Sequence, residues 1–345
     1  MARRPLALGI AAGVGVLALA LWAAWPVAPD MPAFAAVKAQ WRASESYVLD
    51  RHGELIDAVR VDLGARRFEW TPLDAISPAL VDAVVAAEDG RFREHAGIDW
   101  IAVGGALRDA VTARQRRGAS TISMQVAGLV VPELRRPAAG RTLHRKVAQA
   151  LAARSLERTW TKDEILEAYF NLLTFRRELQ GVGAASHVLA GKAPSGLSVP
   201  ESFVLAALLP RPAATPESVT ARACARAASR EPSISCDVIR ETAARLLARA
   251  TRHDPAPHLA PHVARLLAGM PGERVVTTLD ARLQRIAQAV LERHLADLGG
   301  RNVRDGAVLV ASNSGGEVLA YVGSVGQGSH APRSEEHTSE LQSPI

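Results

Sequence analysis

One uncharged apolar run, Pro5 to Trp25, constrains this chain more than any other feature. As a helix rising about 1.5 Å per residue it reaches roughly 31 Å, the thickness of a bilayer core. Arg3 and Arg4 precede it, and Trp22, Trp25 and Pro26 close it. Positive residues stay inside. The expectation is therefore a signal anchor, with residues 1–4 cytoplasmic, 5–25 in the membrane and the remainder exported. The alternative is a cleaved signal peptide. Its apolar core is typically shorter, about 7–15 residues, and AWPVAPD offers only a poor small-residue cleavage site. No second run of this kind occurs, which excludes a multi-pass membrane protein.

Composition bounds the rest. With 48% hydrophobic and 22% charged residues the chain is neither disordered nor fibrous. Its 345 residues leave room for two or three domains. Two cysteines, Cys224 and Cys236, cannot build a disulfide framework or a four-thiolate metal site. In an exported chain they either pair across a short loop or stay as separate thiols.

Local patterns divide the chain. Residues 45–61 read as two short strands around a turn at Asp50–Gly53. From about 70 to 212 the pattern is helical. Ser77-Pro78 starts a helix, Asp99 and Ser120 can cap two more, and Thr161 to Glu164 and Ser198 to Glu201 spell capping boxes. Pro210 and Pro212 end this region. Residues 213–272, rich in Ala, Arg and Pro, read as a linker with one or two helices. RVVTT then reads as a strand, Asp280 as the cap of an amphipathic helix, and GAVLVASNSGGEVLAYVGS as a hairpin turning at Gly315-Gly316.

Four segments carry chemistry. In EDGRFREHAGID, Glu88 continues the apolar stripe of Val81, Val84 and Val85 on the helix that starts at Ser77. A carboxylate at the end of a buried face is partly desolvated, which suits a general base or acid. The plainer reading is a frayed helix end paired with Arg91 or Arg93; Asp89 points elsewhere and can orient a neighbour. In GASTISMQ, a basic loop holding Arg114, Arg116 and Arg117 runs into a hydroxyl-rich helix start at Ser120 and Thr121. That is either an anion site or an ordinary N-cap. Arg145 and Lys146 in RKVAQ could face a diphosphate, and Asn171 is a polar contact or a helix C-cap. The small residues of GVGAAS read as helix packing.

Together these segments resemble the peptidoglycan glycosyltransferases of family 51. EDGRFREHAGID resembles their EDxxFxxHxGxD motif and GASTISMQ their GxSTxxxQ motif. RKVAQ, LERTWTKDEILEAYFN and GVGAASHVLAGK through LLPRP follow in the family's order, from residue 88 to 212. YVLDRHGELI, TFRRELQGVGAAS and APHLAPH before VVTTLDARLQ are similar to the bifunctional penicillin-binding proteins of that family. The resemblance implies a mainly α, lysozyme-like helical glycosyltransferase domain over 45–212 behind the transmembrane helix. A linker over 213–272 and an incomplete α+β transpeptidase fragment over 273–332 would follow.

It also implies the chemistry. Glu88 would be the catalytic base, polymerising lipid II onto the nascent glycan strand at the outer face of the cytoplasmic membrane. Asp89, Phe92, His95, Ser120, Thr121, Gln125, Arg145, Lys146, Gln149 and Asn171 would bind substrate. Mg²⁺ at the lipid diphosphate is a further implication, although no metal-ligand cluster is visible in the sequence. The expected partners are membrane lipid and cell-wall synthesis proteins, not nucleic acid.

Three positions depart from the pattern. Gln149 replaces a second glutamate and cannot transfer a proton. Gly128 stands where relatives have Arg or Lys. Leu189 replaces an aromatic residue. Neither the S-x-x-K nor the K-T-G motif of a transpeptidase occurs. Residues 333–345 do not resemble the family and look like a translated adapter read-through, so the expectation is a chain cut short before the transpeptidase nucleophile. Without that tail the formal charge rises from +6 to about +8, which suits an anionic membrane and a diphosphate. The rival functions are a glycan hydrolase, which needs two flanking carboxylates, and a weakly active scaffold.

Overall fold

The structure is a computed structural model that describes residues 30–111, 120–135, 143–248, 256–298, 301, 303 and 305–324. The apolar run at 5–25, the segment holding Arg114, Arg116, Arg117 and Gly118, and the tail at 333–345 lie outside the described residues. Among the described residues no helix is long and apolar enough to cross a membrane. The chain divides into two compact units, one of which joins the segment ending at Trp41 to Trp70–Ala250. The other joins Arg42–Glu69 to Thr251 and beyond.

The first unit is helical, and the helix Val199–Leu208 is its centre, buried from Glu201 to Leu208. A helix apolar on all sides has to be covered on all sides, and Pro78–Glu88, Pro216–Arg230 and Cys236–Ala248 pack around it. A second group sets Ile122–Val130 against Leu143–Thr159 and Lys162–Leu172. Both expected capping boxes form, at Thr161 with Glu164 and at Ser198 with Glu201. Glu201 is buried, yet it accepts from the Ser198 amide at 2.9 Å and pairs with Lys192 at 3.0 Å and Arg245 at 3.1 Å. Burial pushes its pKa up, but the Ser198 amide and Lys192 outweigh that and hold it below the usual carboxylate value.

Three local features differ from expectation. Thr121, not Ser120, caps Ile122–Val130, because its hydroxyl lies three residues before the Met124 amide and accepts from it at 3.2 Å. Ser120 is exposed. A small hairpin, Thr174–Arg176 with Leu179–Gln180, interrupts the helical stretch, turning at Arg177 with a left-handed φ of 47°. Finally, Pro216–Arg230 and Cys236–Ala248 are packed helices, not linker: Val219, Ala223 and Ala227 are buried on the first, and Ile239, Ala243 and Leu246 on the second. Their spacing of three or four residues makes a core stripe on each helix, rich in alanine. A disulfide between Cys224 and Cys236 joins the two helices.

The second unit is built around the strand Glu45–Leu49. It pairs antiparallel with Leu55–Arg60 and parallel with Arg274–Val276. The turn between the first two strands forms as expected: Asp50 accepts from the His52 and Glu54 amides, and Gly53 takes φ 85°. Asp280 caps Ala281–Leu298 through the Leu283 amide at 3.0 Å. That helix packs on the hairpin Val308–Ala311 and Val318–Val322, whose turn uses Gly316 at φ 71°. Val48, Ile56, Ala260, Ala264, Leu279 and Ala281 form a small core.

Candidate active site

Glu88 is the last residue of Pro78–Glu88. The buried stripe of that helix is Leu80, Ala83 and Val84, while Val81 and Val85 lie at its margins. Glu88 follows Val84 by four residues and so leaves the helix over the same face. Its side chain is 14% exposed.

Three residues from other elements converge on it. The Gln125 amide donates to Glu88 Oε2 at 3.3 Å, and the Tyr169 hydroxyl donates to Gln125 Oε1 at 3.3 Å. Arg226 Nη2 stands 3.8 Å from Glu88 Oε1. Burial, then the charge of Glu88, push the Tyr169 pKa well above its ordinary value, so the phenol keeps its proton and donates it to the Gln125 oxygen. Gln125 therefore turns its oxygen to Tyr169 and its NH₂ to Glu88.

Asp89 brings the pieces together. Its carboxylate meets His95 Nε2 at 3.0 Å and accepts from the Ile122 amide at 3.0 Å. It thus ties the turn after Glu88 to the first residue of the helix that carries Gln125. Thr121 adds a second tie by donating to the Gly97 carbonyl at 2.7 Å. Gly97 has φ 89°, and a Cβ there would lie 2.8 Å from the Ala153 backbone. Arg91 chelates Asp99, which also caps Trp100–Val111 through the Ala102 amide at 2.8 Å. Burial works against the charge of Asp99, but the Ala102 amide and Arg91 hold its pKa below the usual range.

The expected site residues thus separate into groups. Glu88, Gln125, Asp89, His95 and Thr121 form one connected cluster. Phe92 is fully buried, edge-on to His95 with the Lys162 ammonium 4.2 Å above its ring. Asn171 is not brought to the cluster. It is buried, and both amide protons are spent, on the carbonyls of Thr71 and Glu167 at 2.8 Å each. Arg145 donates to the Leu134 carbonyl at 2.5 Å, and Lys146 is exposed. Gln149 lies over Gly128: a Cβ on Gly128 would stand 3.3 Å from Gln149 Nε2. Two of the three departures from the family pattern are therefore neighbours in space.

Sequence reasoning missed Tyr169 and Arg226. Tyr169 lay inside a quoted motif without a role. Arg226 lay in the stretch read as a linker, and the signal that could have found it is the Val219, Ala223, Ala227 stripe beside it.

A family model described as Transglycosylase matches residues 52–232, just over half of the chain. The chain belongs to the transglycosylase family. A biosynthetic peptidoglycan transglycosylase of Rhodospirillum centenum is 42% identical over 184 residues, covering 52% of this chain and 77% of that relative. Penicillin-binding protein 1C of Escherichia coli is 31% identical over 263 residues, covering 73% of this chain and 33% of that relative. This chain therefore spans about a third of the length of that relative.

Proposed function

We propose that this transglycosylase polymerises lipid II into β-1,4 glycan strands in bacterial cell-wall synthesis, with Glu88 as the base. Membership of the family makes the chain a glycosyltransferase of peptidoglycan synthesis. Glu88 takes the proton from the 4-hydroxyl of the acceptor. That oxygen attacks the anomeric carbon of the lipid-linked growing chain, the configuration inverts, and undecaprenyl diphosphate departs. The observation that carries this reading is the setting of Glu88: mostly buried, at a helix end, with one oxygen on the Gln125 amide and the other facing Arg226. A positioned, partly desolvated carboxylate of this kind suits a general base.

The departing diphosphate needs positive charge where charge develops. Lys146 is exposed and free to turn toward it, and Arg145 precedes it on the same helix. Ser120, exposed at the start of the Gln125 helix, and Gln125 itself are the proposed sugar contacts. Asp89, His95, Phe92 and Thr121 act by holding Glu88 and Gln125 in register. Gln149 offers a neutral amide and moves no proton. Asn171 contributes by clamping its own helix.

A hydrolase would need a second carboxylate flanking the bond. The neighbouring candidates are committed elsewhere, Asp89 to His95 and the Ile122 amide, Glu157 to Lys162 at 2.6 Å. Transfer to a sugar is thus favoured over cleavage. Among the described residues no three His, Cys, Asp or Glu side chains come together to hold an ion. We place any Mg²⁺ on the substrate diphosphate.

The apolar run at 5–25 is proposed to anchor the enzyme in the cytoplasmic membrane, with the catalytic unit on the periplasmic or outer side beside its lipid-linked substrate. Membrane lipid and other cell-wall synthesis proteins are its proposed partners.

Purified protein incubated with labelled lipid II tests the reading. Wild type should yield long glycan strands, and Glu88→Gln should lower their rate by about 100-fold or more. Wild-type polymerisation by Glu88→Gln would rule out this mechanism, and an inactive wild type would favour a scaffold.

A further inference from the structure

We propose that Arg226 is a positioning residue for Glu88, a role that rests on the reading of Glu88 as the base. The two carboxylate oxygens are addressed from opposite sides by different elements. Gln125, on Ile122–Val130, donates to Oε2 at 3.3 Å. Arg226, on Pro216–Arg230, faces Oε1 at 3.8 Å. That separation gives an ion pair without a hydrogen bond. Oε1 is therefore held by charge with no hydrogen bond from Arg226, and we assign it as the oxygen that receives the acceptor proton.

An exposed arginine on a flexible stem would contribute little to such an arrangement. This one is anchored. Arg226 Nη1 donates to the Ala206 carbonyl at 2.8 Å. Arg222, one turn earlier, donates to the Ala207 carbonyl at 3.1 Å from Nε and 2.8 Å from Nη2. Both carbonyls belong to the last turn of Val199–Leu208, where unpaired backbone oxygens and the helix dipole favour cations. Arg226 is 23% exposed, so its field is less screened than that of a surface charge. Its backbone is held by the buried Val219, Ala223 and Ala227 and by the disulfide at Cys224. The guanidinium is thus set in place before substrate arrives, which is what positioning requires. Among the described residues, Tyr169, which stays protonated, and Asp89, which is turned to His95, also stand near Glu88.

Steady-state polymerisation of labelled lipid II by the full chain tests this, with kcat and KM measured separately and Tm recorded for each variant. Arg226→Met should lower kcat roughly 10- to 100-fold and leave KM and Tm close to wild type, because misplacing a catalytic group costs rate. Arg226→Lys, which keeps the charge, should recover part of that loss. Adding Arg226→Met to Glu88→Gln should lower the rate no further, since two residues acting as one unit are not additive. A wild-type kcat in Arg226→Met overturns the proposal. So does a raised KM with unchanged kcat, which would make Arg226 a substrate contact. Equal kcat losses in the Met and Lys variants with a lowered Tm would assign Arg226 to packing, and also overturn it. Wild-type activity in Glu88→Gln instead brings down the reading of the base itself, a result distinct from any of these.

Discussion

Gly97 and Gly53 share a left-handed backbone but not an environment. At Gly97, φ is 89° and an added Cβ would lie 2.8 Å from the backbone carbon and oxygen of Ala153. At Gly53, φ is 85° and nothing lies within 4 Å. Alanine at either position meets a backbone cost of about 1–2 kcal/mol. Gly97→Ala must also push back a helix backbone, an overpacking cost of about 1–3 kcal/mol more. Urea unfolding should therefore show Gly97→Ala losing distinctly more stability than Gly53→Ala; equal losses would show that the helix at Ala153 yields freely. The glycine of EDGRFREHAGID is legible in the sequence as part of a motif, but its reason is not, because Ala153 lies on another helix. The same holds for Gly128 and Gln149. Each is visible as a departure, and only folding makes them neighbours. A side chain at Gly128 meets the flexible end of Gln149 and not backbone, so the pair can repack.

Among the elements, the helices were easy to read and their partners were not. Caps at Asp99, Thr161, Ser198 and Asp280 depend on residues three or four apart, so the sequence carries them directly. Thr121 displaced Ser120 because two adjacent hydroxyls offer the same cap, and the tie to Gly97 favours the one that can be buried. The helix pair at 216–248 was only half legible: one or two helices are expected within 213–272, and Cys236–Ala248 is one, but Pro216–Arg230 was hidden because an alanine stripe amid arginines has the composition of a solvated linker. Their disulfide closes a loop of 12 residues in sequence separation. Cross-linking a loop of that size removes about 2–4 kcal/mol of freedom from the unfolded chain. Reduced protein, and Cys224→Ser with Cys236→Ser, should melt at a lower temperature than the oxidised form. Unchanged melting would mean that packing of Val219, Ala223 and Ile239 alone holds the pair.

Across the whole molecule, carboxylates that fold holds in the charged form set the response to acid. Asp50, Asp99, Glu167 and Glu201 all have pKa values lowered on folding; burial opposes their charge, and backbone amides or basic partners outweigh it. A lowered folded pKa adds stability that is complete above the unfolded value, about 4, and is lost as pH falls through the folded value. Asp57, raised by burial despite His258, works in the opposite sense. Melting temperature should hold between pH 7 and 5 and fall steeply below about pH 4. Glu201→Gln should lower it at pH 7 and flatten the acid limb. A melting temperature unaffected by acid would contradict the ion pairs of Glu201 with Lys192 and Arg245.

The strand Arg274–Val276 joins Glu45–Leu49 across more than 200 residues, and no local pattern in either segment names the other. By itself the sequence determined the mainly helical class, the family motifs and Glu88 at the end of an apolar face, since each rests on residues within one or two helical turns. Only the tertiary structure decided which carboxylates are already committed, that Arg226 faces Glu88, and that 45–60 pairs with the strand at 274–276. Those outcomes depend on elements far apart in sequence meeting through buried surface, and burial is a property of the folded chain as a whole.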